Sequence, residues 1–126
     1  VVFTGIVSYS DIPQLLKNAE VLALARPSSK QAEFGFPTKL GEYLLTSNPV
    51  VVTDVGNISD FLKDGQSAMI AKPDDEVEFA NKINWLLEHP QEAYVIGEKG
   101  AEVARNHFDS KMETMKMVHI MFNKDL

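Results

Sequence analysis

"EFGFPTKLGEYLLTSNPVVVT", residues Glu33 to Thr53, decides how this chain is read. A Gly-Phe-Pro turn leads into a helical segment, and a dense β-branched run follows. Pro37 suits a helical first turn, where its missing N–H would be unpaired in any case. The spacing predicts a helix from Pro37 to about Thr46. "PVVVT" (Pro49–Thr53) shows no polar alternation, the pattern of a strand buried on both faces of a parallel sheet. Pro49 cannot donate to a ladder, so it fits only at the start or edge of that strand.

Working outward, "VVF" (Val1–Phe3) reads as a short strand ended by Gly5, one already in progress where the sequence begins without Met. That beginning is what a fragment lacking upstream elements would show. Asp11 is placed to cap a helix with Pro13 in its first turn and Ile12, Leu15, Leu16 and Ala19 on one face. "VLALA" (Val21–Ala25) is a second buried strand, and a loop is expected from Arg26 to Phe36. Beyond Thr53, "SDFLKDG" predicts a short helix stopped by Gly65, and "AMIA" (Ala68–Ala71) a fourth strand. Asp75 and Glu78 form a capping-box pattern ahead of Phe79, Ala80, Ile83, Leu86 and Leu87. Pro90 ends that helix and begins another, to about Ala104. Ser110 and Glu113 suggest a further cap before "KMVHIMF". Strands alternating with helices predict a single domain over 1–126: a three-layer, Rossmann-like open parallel sheet with flanking helices. In such sheets ligands sit beyond the carboxyl ends of the strands.

Composition narrows the function. A net charge of −6 argues against nucleic acid or an anionic membrane as the main partner. With no Cys there are no disulfides or thiolate metal sites, and no apolar run is long enough for a membrane helix. Both observations fit a cytoplasmic protein. "NIS" (Asn57–Ser59) matches a glycosylation sequon without a secretory leader before it. His89, His107 and His119 lack metal-ligand spacing, no Asp-x-Asp occurs, and Asp74 and Asp75 read as helix-cap acids. Trp85 falls off the apolar stripe of its helix, which implies partial exposure. Gly-x-Gly and Walker A patterns are absent, and Asp54 lacks the acidic neighbours of a receiver-type site.

Within this acidic chain, Arg26 to Gly41 carries Arg26, Lys30 and Lys39 against Glu33, a local excess of +2. Unpaired N–H groups at a helix start attract anions, and Gly35 lets backbone approach a ligand closely. Glu42, an accept-only carboxylate when ionised, could take two hydroxyls of a ribose. The alternative is an ordinary turn followed by an exposed Lys39–Glu42 pair worth a few tenths of a kcal/mol.

The same stretch, extended as "EFGFPTKLGEYLLTSNPVVVTDVGNISDFLKDGQSAMIAKPDD", resembles the C-terminal, donor-binding domain of group 1 glycosyltransferases, retaining enzymes of the GT-B architecture. "PTKLGEY" and "NPVVVTDVGNISD" carry the likeness. Upstream, "VVFTGIVSYSDIPQLLKNAEVLALARPSS" matches the family's strand, helix and strand in order, so the resemblance spans residue 1 to about 108. It implies a nucleoside diphosphate sugar as donor, no metal or other cofactor, and transfer with retention to a glycan or lipid-linked acceptor, as in polysaccharide biosynthesis. The acceptor would be held by an N-terminal domain absent from this sequence. That domain would also supply any peripheral membrane attachment of an otherwise cytoplasmic enzyme, and this piece alone would be inactive.

By the same resemblance, Glu42 binds the ribose, and Glu33 lies at the transferred sugar in the catalytic position. Gly35, Phe36, Pro37, Thr38, Lys39 and Leu40 hold the sugar and diphosphate, and the turn from Gly5 to Val7 flanks the base. Two departures stand out. Eight residues separate the glutamates, one more than the family spacing, so that a strict count from Glu42 reaches Phe34. "TSN" (Thr46–Asn48) replaces a small residue followed by Gly, which suggests a left-handed Asn48. Four Met, at 112, 115, 117 and 121, suggest core filling or an interdomain contact for the last helix. The rival reading is a non-enzymatic nucleotide-binding or regulatory α/β module.

Overall fold

A computed structural model describes residues 1–34 and 37–108. Along the chain come α1 (Ile12–Asn18), β1 (Leu22–Leu24), α2 (Lys30–Phe34), α3 (Thr38–Leu45) and β2 (Val50–Thr53). They are followed by α4 (Ile58–Phe61), β3 (Met69–Ala71), α5 (Glu76–Glu88) and α6 (Pro90–His107). The strands form one parallel sheet in the order β1-β2-β3, with Leu22 opposite Val50 and Val51 opposite Met69. β2 is central and buried along its whole length, as its unbroken apolar run requires. Pro49 stands just before it, and its carbonyl accepts the Leu22 N–H at 3.0 Å.

Successive side chains of β2 point to opposite faces, and each face has its own core. Val50 and Val52 pack with Leu40, Leu44, Ile58, Leu62 and Ala104. Val51 packs with Met69, Leu86, Ala93 and Ile96 on the other side. Helices therefore cover both faces, which gives the three layers expected. α6 lies hard against the chain at two glycines. A Cβ at Gly97 would run into the Ser47 carbonyl oxygen and sit 2.9 Å from Asn48 C. A Cβ at Gly100 would lie 2.5 Å from the Ser67 carbonyl oxygen.

Several local expectations are corrected. Val1–Phe3 form no strand and are exposed, because a strand needs a ladder partner and none lies beside them among the described residues. The sheet of the described residues thus has three strands rather than four. The Arg26–Phe36 loop contains the helical turn α2, for which Ser29 Oγ accepts the Ala32 N–H at 3.0 Å. Asp11 occupies the N-cap of α1 but in a helical conformation, with no side-chain capping bond. Asp75 does cap α5, accepting the Glu78 N–H at 2.9 Å, yet Glu78 does not return the bond; its carboxylate accepts the Lys72 N–H instead. α6 runs three residues beyond Ala104. The Ser110–Glu113 cap and the four clustered Met lie outside the described residues.

Candidate functional site

Glu42 lies in the second turn of α3, on the face opposite Leu40 and Leu44, which are fully buried. The amphipathic spacing of "TKLGEYLL" is what drives those leucines inward and turns the carboxylate outward. No ion pair with Lys39 forms; among the described residues the side chain of Glu42 has neither ion pair nor hydrogen bond. It borders a cavity of ≈ 590 Å³ between α1 and α3, with Tyr9, Ile12, Pro13, Leu16, Lys17, Leu45 and Thr46 around it. An exposed carboxylate, a lysine and a threonine thus share a mostly apolar lining with an aromatic ring, the mixture expected of a small-molecule site.

Among the described residues the start of α3 has no side-chain cap. Pro37 occupies the N-cap without a side-chain capping bond, and no acid stands in the first turn. Thr38 and Lys39 are exposed there. Leu40 is committed elsewhere: its N–H bonds to the Pro37 carbonyl at 3.0 Å and its side chain fills the core. Gly35 and Phe36 fall outside the described residues. Glu33 is exposed on α2, with its backbone carbonyl against Gly56. Gly5 holds φ +67 with open space around it, and Val7 is half-buried, two residues before Tyr9 at the cavity rim.

A second cavity, ≈ 470 Å³, opens at the carboxyl ends of β1 and β2 on the α5 side. Thr53 organises it: its hydroxyl donates to the Arg26 carbonyl at 2.9 Å and accepts the Arg26 N–H at 2.8 Å. The rim sets Arg26 against Asp74, Asp75 and Glu76, a balance that disfavours a diphosphate. Asp74 holds φ +61 and accepts the Ser28 N–H at 3.2 Å. Among the described residues no three His, Cys, Asp or Glu are grouped to hold a metal ion. Likewise, no described helix is long and apolar enough to cross a membrane.

Residues 1–89 match the profile of the glycosyl transferases of group 1, well over half of the chain. The chain belongs to that family. Its likeness to solved structures agrees. HepE of Anabaena, in complex with UDP and glucose, is 26% identical with a TM-score of 0.82 over 96% of this chain and 31% of that one. The same protein in complex with UDP-glucose is 25% identical, with a TM-score of 0.76 over 88% and 29%. Sucrose-phosphate synthase from Thermosynechococcus elongatus is 20% identical and shares the fold, with a TM-score of 0.77 over 96% and 29%. This group 1 transferase chain spans about a third of the length of those neighbours. Comparison with curated proteins found no match.

The sequence missed the inner wall that faces Glu42. Tyr9, Ile12 and Pro13 carry no pattern that announces a partner on α3, because only the tertiary fold brings α1 there. The turn after α3 differs from expectation too. Ser47 holds the left-handed conformation, with φ 64, and Asn48 does not. Asn48 instead turns its side-chain amide to the last turn of α1, donating to Leu16 O at 2.8 Å and Lys17 O at 3.1 Å. The departure from the family's Gly at "TSN" was the available signal.

Trp85 is 36% exposed, as its off-stripe position implies, and stacks on His89 with ring centroids 4.3 Å apart. His107 joins an aromatic cluster with Phe61 and Phe108.

Proposed function

We propose that this chain supplies the donor half of a retaining, sugar-nucleotide-dependent glycosyltransferase, acting on a glycan or lipid-linked acceptor held by an N-terminal domain. The observation that carries the reading is Glu42, a carboxylate with no partner among the described residues at the border of a mostly apolar cavity. Ionised, it accepts both ribose hydroxyls. Tyr9, Ile12 and Pro13 then flank the base, next to the Gly5–Val7 segment. The diphosphate lies at the start of α3, where the uncapped N–H groups, Lys39 and the surrounding positive excess favour it.

Catalysis in this reading is orientation together with electrostatic stabilisation of the departing diphosphate, without a metal. Glu33 lies at the transferred sugar. The complexes of HepE with UDP-glucose make a uridine nucleotide the first donor to try. The enzyme works at the cytoplasmic side, in glycan assembly, and the isolated chain has no turnover of its own.

Calorimetric titration of the chain with UDP, GDP, ADP and CMP identifies the base. Glu42→Gln keeps the shape but removes a charge-assisted pair, with an expected loss of about 1.5–3 kcal/mol in nucleotide affinity. For a 2′,3′-dideoxy nucleotide the loss should nearly vanish. Equal losses with both ligands would mean that Glu42 does not touch the ribose.

A further inference from the structure

The cavity bordered by Glu42 has two walls of unequal firmness. α3 is anchored through Leu40 and Leu44, both buried. α1 contains no buried residue, and among the described residues only Leu16 within it, with Ala19 at its C-cap, packs against the core. Among the described residues, the hydrogen bonds joining α1 to a distant segment all end on one side chain, that of Asn48. Its amide donates to two carbonyls of the last turn of α1, of which that of Leu16 also accepts the Ala19 N–H at 3.3 Å.

Asn48 is itself held firmly. Its backbone N–H donates to Thr46 Oγ1 at 3.1 Å, and that hydroxyl donates to the Tyr43 carbonyl at 2.6 Å. The amide is thus rooted in the last turn of α3. From behind, the Ser47–Pro49 backbone rests on α6 at Gly97.

We propose that Asn48 is a positioning residue for the nucleotide site: its side chain ties the last turn of α1 to the last turn of α3. That tie fixes the spacing between the wall of Ile12, Pro13 and Leu16 and the Glu42 carboxylate. The proposal rests on reading this cavity as the nucleotide site. Base and ribose are joined by one short glycosidic bond, so both subsites can be filled together only within a narrow range of wall spacing. Freed from Asn48, α1 keeps, among the described residues, only the packing of Leu16 and Ala19 to hold it at that spacing.

The test titrates UDP into the chain and into Asn48→Ala, Asn48→Asp and Ile96→Val, each checked by circular dichroism to be folded at the working temperature. Asn48→Asp preserves the shape but cannot donate to two carbonyls. Ile96→Val is the control, since it loosens the opposite core without touching α1. Both Asn48 variants should bind UDP about tenfold more weakly, the scale of one lost hydrogen-bonded tie. Ile96→Val should leave the affinity unchanged. Amide exchange of α1 should quicken in the Asn48 variants and not in the control. In a Glu42→Gln background the Asn48→Ala loss should shrink, because one of the two positioned subsites is already weakened.

Wild-type affinity in Asn48→Asp would overturn the proposal, and so would an undiminished Asn48→Ala loss beside Glu42→Gln. If UDP binding depends on Glu42 but is indifferent to Asn48, the tie alone is wrong. Should UDP binding not depend on Glu42, the nucleotide-site reading falls and this proposal falls with it.

Discussion

Replacing Gly97 with Ala tests the packing that supports the whole α3–β2 turn. In an exposed helix the change would be favourable by about 1 kcal/mol, because Gly carries excess backbone entropy in the unfolded chain. Here the new methyl meets the Ser47 carbonyl oxygen, with Asn48 C at 2.9 Å and Pro49 N at 3.0 Å. Carbon contacts prefer about 3.5–4.0 Å. All three obstacles are backbone atoms, so no side-chain rotation relieves them, and α6 must retreat by roughly 1 Å. Retreat opens both cores, since α6 sends Ile96 and Ala93 to one and Ala104 to the other. Overpacking of this kind costs about 3 kcal/mol at the upper end of its usual range, which leaves a net destabilisation of about 2 kcal/mol after the propensity gain. Urea unfolding followed by circular dichroism reads the difference directly. Glu98→Ala, on the exposed side of the same helix, serves as the reference and should change stability by less than about 0.5 kcal/mol. A Gly97→Ala protein as stable as wild type, or more so, would show that α6 does not approach the turn as described.

Two other substitutions probe the carboxyl ends of the strands. Thr53→Val keeps the volume but strips the Arg26 N–H and carbonyl of their hydroxyl partner, so an unfolding free energy lower by about 1–3 kcal/mol is expected in a denaturant titration. Glu33→Gln, made in the intact transferase, should slow sugar transfer while sparing UDP affinity. Steady-state rates set beside calorimetric affinities decide it, and a matched fall in both would remove Glu33 from the sugar subsite.

What the sequence revealed tracks how local the cause is. β2 was legible because a strand buried on two faces leaves an unbroken apolar run, and the inward turn of Leu40 and Leu44 follows from helical spacing alone. Val1–Phe3 has the same β-branched composition but no ladder partner among the described residues, and composition cannot supply one. α2 escaped notice because a five-residue helix is too short to show a period; it forms because Ser29 caps it and Ala32 is buried. Asn48 was the natural candidate for a left-handed residue, since Asn tolerates that conformation better than Ser. A tertiary demand overrode that preference: the Asn48 amide is used on α1, and Ser47 takes the turn. For the site, the Glu42 side of the cavity could be read from one helix, whereas the wall it faces could not.

The register of the sheet has a consequence for how this domain comes into being. Leu22 pairs with Val50 and Val51 with Met69, so no ladder bond is made by a hairpin. Each neighbour of β2 arrives across a connection that contains helices, and the entropy of closing that connection is lost before any ladder bond compensates it. Two strands of three and four residues without their helices would have too little apolar surface to stay together. The sheet and the layers above and below it must therefore condense together around β2, as a single cooperative step without a stable smaller part.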